Sequence, residues 1–309
     1  MRPKRLLDCC ASDMQKMDKG GLLYSIRASE GRVMVSETIA ITQPLLNNIT
    51  NAELAASQGA DILLINMFDS EAPQINGLPD NTAPDQILHT LQRLTGRIIG
   101  VNLEAVDPAF ASSHEDIWKM KPGRLATAEN AKKVVEMGAR IIVLTGNPNN
   151  GVSNRALGLA LREVHDAVGD DAVIVTGKMH SAGVVTESGE AIISEEDVAF
   201  FVDQGADIVL VPAPGTIPGM SQQKVGALID CVHAHGAMAM TAIGTSQEGA
   251  DVSTIRQIAL MSKMAGADLH HIGDTGYLGM ALPENILAYS IAIRGVRHTY
   301  SRIARSLNR

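Results

Sequence analysis

The sequence predicts a (β/α)8 barrel, the TIM-barrel fold of the α/β class. Three observations carry this prediction. A unit in which a helix ends at Gly-Ala and runs directly into a strand recurs along the chain, the strands are continuous apolar runs, and there are eight of them. Continuous apolar strands are typical of a parallel sheet that is buried on both faces. Eight βα units in one chain are the pattern of this barrel.

The recurring unit begins with a capped helix and ends in a strand. Four clear copies occupy residues 48–66, 126–146, 194–212 and 253–273, and a looser copy occupies 224–244. In the first copy Thr50 and Glu53 are spaced as a capping box, which satisfies free amides at a helix start. A glycine then follows each helix, where the chain commonly turns into a left-handed conformation. These glycines are Gly59, Gly138, Gly205, Gly236 and Gly266.

The predicted strands set the boundaries of the domain. In chain order they are residues 32–37, 61–66, 97–104, 140–146, 172–178, 207–212, 237–243 and 268–273. Residues 1–31 are predicted to form a helical extension that covers the barrel floor, and 283–309 a C-terminal helix, so that 1–309 is one barrel domain. A doubly wound open sheet is the alternative. Its first βα loop carries a Gly-rich fingerprint, which residues 36–45 lack.

Composition excludes several classes of partner. The 309 residues are 45% hydrophobic and 19% charged, with a formal net charge of −8, which is ordinary for a soluble protein and unlike a nucleic-acid-binding one. Basic residues gather at 2–5 and 294–309, where we expect a solvated helix face or a salt-bridged subunit contact. There is no signal-peptide core and no run of 18 apolar residues. We expect a cytoplasmic homo-oligomer with no membrane partner.

Candidate functional residues stand at the strand ends. Active sites of this fold lie at the carboxyl ends of the strands, and polar residues occur at the end of every predicted strand. Buried hydrogen-bonded layers are the structural alternative for any single Asn or Thr among them. We expect catalytic roles for Glu37, Glu104, Lys178 and His180, and substrate contacts from Asn102 and Asn147.

Lys178 leaves three interpretations open. It could be a Schiff-base nucleophile, because apolar surroundings disfavour the charged form of an amine, with Glu104 or His180 moving protons. It could be a fixed cation that faces a substrate phosphate, carboxylate or enolate. It could also pair with Glu104 across the barrel mouth in a purely structural role. Strand alternation predicts that Lys178 and His180 point the same way, with Met179 turned to the helices.

Two glycine-rich turns predict an anion site. They follow the seventh and eighth strands and both precede helices. Backbone amides in such turns, together with a helix N-terminus, can cradle a phosphate, and TIM barrels often bind phosphate at these two loops. Tight βα turns are the structural alternative. The residues assigned to the cradle are Gly244, Thr245, Ser246, Gly273, Asp274 and Gly276.

A divalent metal is a further possibility, and the cofactor is otherwise left open. Glu104, Asp107 and His270 are the candidate ligands. Carboxylates suit Mg²⁺, whereas a histidine ligand tilts the site toward Mn²⁺ or Zn²⁺. His270 and His271 are adjacent in a strand, so one faces the barrel interior and the other the helices. Which of the two faces the interior depends on the register of the strand: if Asp268 points into the lumen, so does His270, and His271 packs against the helices.

Several motifs resemble a known family. TGKMHSAG (176–183), VLTGNP (143–148), TAIGTSQEGAD (241–251) and SKMAGADLHHIGD (262–274) resemble a bacterial TIM-barrel family described as phosphoenolpyruvate phosphonomutase-like. The resemblance covers nearly the whole chain and implies a phosphate-binding barrel with a phosphorylated or carboxylated small substrate. The Lys-Lys-Cys-Gly-His-like loop and the metal-binding aspartates of phosphonomutases and isocitrate lyases are not present, so C–P bond chemistry is not implied. A haloacid-dehalogenase relationship is excluded because residues 8–13 lack the DxDxT nucleophile motif.

Together these features predict an enzyme that acts on a small phosphorylated or carboxylated metabolite. The expected chemistry is that of a lyase (aldolase-like) or an isomerase, through an enolate or an imine. A non-catalytic barrel that binds a metabolite or assists assembly is one alternative. A metal-dependent enzyme like phosphonomutase or isocitrate lyase is the other.

Overall fold

Eight parallel strands close into a barrel in chain order, which confirms the predicted fold. The computed structural model describes residues 4–107, 120–146, 152–180 and 189–309. Each predicted strand is present within two residues of its expected bounds. The strands are β1 (Val33–Ile39), β2 (Ile62–Asn66), β3 (Ile98–Glu104), β4 (Ile141–Thr145), β5 (Val173–Gly177), β6 (Ile208–Pro212), β7 (Met238–Ile243) and β8 (Leu269–Ile272).

Helices precede the barrel and follow each strand. Two short ones, α1 (Ala11–Gln15) and α2 (Lys19–Arg27), come before β1. The others are α3 (Asn51–Ser57), α4 (Ile87–Thr95), α5 (Ala128–Glu136), α6 (Asn154–Val168), α7 (Glu195–Asp203), α8 (Gln222–Ala234), α9 (Val252–Met264) and α10 (Pro283–Ala304). None of the helices in the described ranges has the length and apolar character needed to cross a membrane.

Strand alternation divides the core into two layers. In β1, Val33 and Val35 belong to the apolar cluster that fills the barrel lumen, whereas Met34 belongs to the layer between strands and helices. The same alternation runs through the other strands, because successive strand side chains point to opposite faces. Both faces are therefore buried, and this explains why the strands are apolar without interruption.

The recurring unit has the predicted caps. Thr50 Oγ1 accepts the N–H of Glu53 at 3.0 Å, and Glu53 Oε2 accepts the N–H of Thr50 at 2.9 Å. The five glycines that follow the helices all have positive φ, from 85° at Gly236 to 117° at Gly138. Residues other than glycine rarely adopt this conformation, so the Gly-Ala signal marks true helix ends.

An aspartate after three of these Gly-Ala pairs ties neighbouring strands together. Asp61, Asp207 and Asp268 each accept a backbone N–H from the preceding strand at 2.8 Å. The carboxylate extends the hydrogen bonding between strands below the point where the ladder begins. Each of these three copies therefore fixes the start of two adjacent strands.

The N-terminal extension closes the barrel floor, as predicted. Leu6, Met14, Leu22 and Ile26 are buried in the same cluster as the lumen-facing strand residues. These side chains come from the first turn of the chain, α1 and α2, and they exclude water from the amino ends of the strands. The lumen is consequently sealed at this end and can open only at the other.

A buried charge network, here called the floor network, joins both chain termini to the barrel. It consists of Asp61, Arg97, Arg294 and Arg302. Arg294 Nη1 and Arg302 Nε donate to the two oxygens of Asp61, the latter at 2.6 Å. Arg302 also donates to the carbonyl of Cys9 at 3.0 Å. The expectation of a solvated face or subunit contact is wrong for Arg294 and Arg302, because both are almost fully buried within the chain.

Candidate functional site

A cavity of about 720 Å³ opens at the carboxyl ends of the strands and is here called the mouth cavity. Four acidic side chains line it: Glu37, Glu104, Glu248 and Asp274. Its other polar side chains are Asn66, Asn102, Arg124, Thr145 and His180. Among the described residues that line the cavity, Arg124 is the only one with a permanent positive charge. The cavity lies at the strand ends from which the candidate residues were chosen, and its excess of carboxyl groups was not predicted.

Glu37 and His271 meet inside the barrel wall. Glu37 continues the lumen side of β1 after Val33 and Val35, and His271 follows Leu269 on the lumen side of β8. Glu37 Oε2 lies 3.2 Å from His271 Nε2, and both side chains are almost fully buried. Burial raises the pKa of Glu37, the contact with His271 opposes this shift, and the charge of Asp274 adds to it. Glu37 can therefore hold a proton more readily than an exposed glutamate.

His270 faces the helices and His271 faces the lumen, which decides between the two alternatives left open by the sequence. Its Nε2 lies 3.0 Å from the carbonyl oxygen of Gly31, and its Nδ1 lies 3.4 Å from Tyr289 Oη. Burial lowers the pKa of His270 to about 4, so the ring is neutral at physiological pH. The phase of the strand puts Leu269 and His271 inward, and His270 is thereby removed from the mouth cavity.

Arg124 binds Glu104 at the rim of the cavity. Glu104 ends β3, and Arg124 belongs to a short 3₁₀ turn, Pro122–Arg124, that precedes α5. Arg124 Nη2 donates to Glu104 Oε1 at 2.5 Å. Burial nevertheless raises the pKa of Glu104, with the arginine opposing the shift. A guanidinium has five N–H donors, so this contact uses only part of what Arg124 can offer to a ligand.

The loop after β2 holds Arg124 in place. The N–H of Ser70 donates to the carbonyl oxygen of Gly123 at 3.0 Å. A Cβ atom on Gly123 would lie 2.0 Å from Asp69 Oδ1, so only glycine fits between the two loops. Asp69 in turn accepts the N–H of Glu71 at 3.0 Å. The loop after β2 thus supports a residue that lines the mouth cavity.

A chain of hydrogen bonds crosses the cavity from β3 to the loop after β8. Asn102 Nδ2 donates to Asn66 Oδ1 at 3.1 Å, and Asn66 Nδ2 donates to Asp274 Oδ2 at 2.9 Å. Asn66 Oδ1 also accepts the N–H of Met67, which has a φ of 56°. The Oδ1 atom of Asn102 is buried and has no donor among the described residues.

Glu248 is a buried acid in the loop after β7. It lies in the 3₁₀ turn Gln247–Gly249 and is 5% exposed. Its Oε2 atom has no donor among residues of the described ranges. Burial raises its pKa, and the charges of Asp274 and Glu37 add to the shift. An acid with these surroundings keeps its proton to a higher pH than an exposed glutamate does.

The side chains at the end of β5 face the opposite sides of the barrel wall from those expected. Met179 packs against the lumen cluster with Val175 and lines the cavity, so the expectation that Met179 turns to the helices is wrong. Lys178 follows Ile174 on the opposite side of β5, is 1% exposed and does not line the mouth cavity. His180, beyond the end of the strand, does line it, and burial lowers its pKa.

The glycine-rich turns contribute less than the predicted cradle. Gly244 and Gly273 line the cavity, whereas Thr245, Ser246 and Gly276 do not. Thr245 Oγ1 donates to the carbonyl of Thr216 at 2.9 Å. The amide of Gly276 donates to Asp274 Oδ1 at 2.9 Å, so a carboxylate of the chain already occupies it. The first amides of α9 are capped in the same way by Asp251. This geometry gives the phosphate prediction no support.

The predicted metal ligands are not brought together. Glu104 lines both the mouth cavity and a second cleft beside α5 and α6, Asp107 lines that second cleft and not the mouth cavity, and His270 lies on the helix side of β8. Within the described ranges, no three His, Cys, Asp or Glu side chains are placed to hold one metal ion. Asn147, predicted to contact substrate, lies outside the described residues.

Three site residues were missed by sequence reasoning. Glu248 was detectable, since it is an isolated acid inside a glycine-rich loop at a strand end. His271 was not, because adjacent histidines look equivalent until the phase of β8 is known. Arg124 follows Pro122-Gly123 in a long loop, and no local pattern indicates that this loop folds back to Glu104.

Comparisons with known proteins give a family and a fold. A family model described as a domain of unknown function, DUF7916, matches residues 7–309. Comparison with curated proteins gives no match. An archaeal fructose 1,6-bisphosphate aldolase is similar in structure, with 14% identity, a TM-score of 0.52, and coverage of 86% of this chain and 95% of the aldolase.

Two further solved structures widen the range of activities. A candidate phosphonomutase from Burkholderia cenocepacia J2315 has 17% identity and a TM-score of 0.52, with 84% of this chain and 94% of that one covered. The endo-β-1,4-mannanase from Thermotoga petrophila has 12% identity and a TM-score of 0.51, with 88% and 79% covered. Because such different activities share this architecture, these similarities show the barrel fold and not a reaction.

Proposed function

The chain belongs to the DUF7916 family, and from the geometry of its mouth cavity we propose an enzyme that transfers protons at a carbon atom of a small anionic metabolite. The outcome would be that of an isomerase or a lyase. Four carboxyl groups on one cavity, three of them with a raised pKa, are the observation that carries this proposal. Perturbed acids cluster at functional sites because catalysis requires groups that exchange protons near the working pH.

Glu37 and Glu248 are the proposed acid–base pair. One carboxylate removes a proton from the carbon next to a carbonyl or carboxyl group, which leaves an enolate. A protonated carboxyl group then returns a proton to a neighbouring atom in an isomerisation, or to a departing group in a lyase reaction. His271, 3.2 Å from Glu37, helps to set the protonation of that acid.

Arg124 is the proposed anchor for the anionic group. It lies at the rim of the cavity with donors beyond the one given to Glu104. A guanidinium binds both carboxylate and phosphate oxygens through paired N–H groups. The amide of Gly276 is already engaged by Asp274, and we therefore favour a carboxylate over a phosphate as the group that Arg124 binds.

The imine and metal mechanisms are less favoured by the geometry. A Schiff base would require Lys178 to reach the substrate, and this side chain is buried outside the cavity lining. A metal would require ligands that converge, whereas Asp107 and His270 lie elsewhere. Borohydride treatment with sugar phosphates, followed by mass spectrometry, tests the first point directly, and we expect no adduct on Lys178.

Deuterium exchange tests the proposed function. The protein is incubated in D₂O with small hydroxy, oxo and amino acids and with sugar phosphates, and carbon-bound deuterium is measured by mass spectrometry. At least one probe should gain deuterium, because an enolate takes its returning proton from groups that exchange with solvent. Glu37→Gln and Glu248→Gln should each lower the exchange rate about 10²- to 10⁴-fold.

The control variant is Glu196→Gln, an exposed glutamate of α7, which should exchange deuterium at the wild-type rate. Exchange that survives in both Glu37→Gln and Glu248→Gln would overturn the assigned roles. Probe binding with no exchange in the wild type would favour the non-catalytic alternative, a barrel that binds a metabolite.

A further inference from the structure

We infer that the substrate of the mouth cavity carries a protonated amino group, bound in an acidic corner formed by Glu37, Glu248 and Asp274. The inference rests on the proposed function because it takes this cavity as the substrate site. It goes further by naming the chemical group that faces the catalytic acids. Charge, unused hydrogen-bond acceptors and the chemistry of possible ligands support it separately.

The first support is the balance of charge. Arg124 is the one permanent cation among the described lining residues, and it already contacts Glu104 on the β3 side of the cavity. The acidic corner lies on the other side, formed by β1 and the loops after β7 and β8. His271 contacts Glu37 there, but Glu248 and Asp274 receive no guanidinium or ammonium group from any described residue that lines the cavity. A cationic ligand group would compensate this excess.

The second support is a pair of buried acceptors without a donor among the described residues, one on Glu248 in the acidic corner and one on Asn102 on the β3 side of the cavity. Asn102 is 7% exposed, and its Nδ2 is committed to Asn66, so its Oδ1 remains an acceptor. That oxygen has no donor among the described residues, and neither has Glu248 Oε2. Buried polar atoms normally have partners. Unmet acceptors on a cavity wall therefore indicate that the missing donors come from a ligand.

The third support is the chemistry of the ligand group, which has to supply both positive charge and hydrogen-bond donors. An ammonium group offers three donors and one positive charge. A hydroxyl offers one donor and no charge, so it leaves the carboxylates uncompensated. A divalent ion needs several converging ligands, which the described residues do not supply. The protonated amine is consequently the ligand group that fits the corner best.

This binding mode predicts a coupled release of protons. Burial and mutual repulsion raise the pKa of Glu37 and of Glu248 in the free protein. A nearby ammonium favours the ionised carboxylates and lowers both pKa values again. At any pH at which these acids carry a proton in the free protein, binding of an amine should therefore expel protons from the acidic corner into the buffer.

Matched amino and hydroxy probes test the inference. Isothermal titration calorimetry compares L-alanine with L-lactate, L-serine with L-glycerate, and phosphoethanolamine with ethylene glycol phosphate. Each pair is measured at about pH 6.5 in buffers of different ionisation enthalpy, which reports protons released. We expect the amino member of at least one pair to bind about tenfold tighter or more, with proton release.

Variants test whether the amine binds in the acidic corner. Glu248→Gln should weaken amine binding at least about tenfold and reduce the proton release, and Asn102→Ala should weaken it about three- to tenfold. Glu196→Gln should bind like the wild type, and circular dichroism confirms that each variant is folded. The inference is overturned if no amino probe binds, if the hydroxy members bind equally well, or if Glu248→Gln leaves amine binding unchanged.

The two proposals fail in distinguishable ways. Selective amine binding without deuterium exchange in any probe overturns the proposed function and leaves the amine site standing. Deuterium exchange restricted to hydroxy or oxo acids, which bind as well as their amino partners, supports the proposed function and overturns the amine site.

Discussion

The floor and the mouth of the barrel both bury charged side chains, but they treat them differently. At the floor, both oxygens of Asp61 accept from arginines, and Arg97 and Arg302 donate to backbone carbonyls. At the mouth, Glu248 Oε2 and Asn102 Oδ1 lack donors among the described residues. The floor network is complete as it stands, whereas the mouth is incomplete without a ligand.

This difference separates stability from function. A complete network of buried charges holds chain segments together, and removing one partner leaves the others uncompensated. An incomplete network costs stability in the free protein, and natural sequences retain such a cost mainly where a site requires it. Substitutions at the floor should therefore destabilise the fold, and those at the mouth should stabilise it while abolishing activity.

The largest expected effect is at the floor. Asp61→Asn leaves Arg294 and Arg302 buried with no counter-charge and should lower the free energy of unfolding by about 3–5 kcal/mol. Urea denaturation followed by circular dichroism measures this change. Asp170→Asn, at an exposed aspartate, is the matched control and should have almost no effect. Equal stabilities of the two variants would show that the floor network is dispensable.

The pH dependence of stability should follow from His270. Its pKa is about 4 in the folded chain because of burial, against about 6.5 in an unfolded one. The neutral ring therefore stabilises the fold above about pH 6.5, and this contribution is lost as the pH falls toward about 4, by at most about 1.4 kcal/mol per pH unit. His270→Gln should flatten the stability curve over this window. Parallel curves for variant and wild type would contradict the assignment.

The pH dependence of stability due to Glu248, in the mouth cavity, should have the opposite sign to that due to His270. Burial raises the pKa of Glu248, so its contribution to stability is present at low pH and is lost as the pH rises through the folded-state value. Glu248→Gln removes the buried charge and should stabilise the protein by about 1 kcal/mol at about pH 8, with a smaller gain at about pH 5. Urea unfolding at both pH values measures this, and a variant less stable than wild type at the higher pH would refute it.

Sequence reasoning recovered the elements of the fold because their signals are local. The strands are continuous apolar runs, and the Gly-Ala signal at positions such as Gly59 and Gly138 marks the helix ends. The N-terminal extension was also placed correctly, since its apolar residues needed a surface to cover. These features depend on neighbours within about one helical turn or strand.

The residues that line the mouth cavity were only partly predicted from sequence. The reason is that the side of the barrel wall on which a side chain lies depends on the phase of its strand. A shift of one residue exchanges the two faces of a strand. This is why Met179 rather than Lys178 lines the cavity, and why His271 rather than His270 lies on the lumen side beside Glu37. Arg124 required knowledge of how a long loop folds back. The positions of the strand ends can therefore be predicted from sequence. The direction of each side chain and the path of a long loop require the three-dimensional structure.

The last expected effect concerns the interruption of α10 between Arg294 and Arg302, two members of the floor network. Gly295, between Arg294 and the rest of α10, has a φ of 75° and interrupts the helix. A Cβ atom there would meet no other atom within 4 Å, so Gly295→Ala should cost only the backbone strain, about 1–2 kcal/mol. Gly226→Ala, in the regular part of α8, is the matched control and should stabilise the protein by about 0.5–1 kcal/mol. Opposite signs in urea denaturation would show that the folded protein keeps the left-handed conformation at Gly295, and a stabilising Gly295→Ala would show that a continuous helix serves equally well.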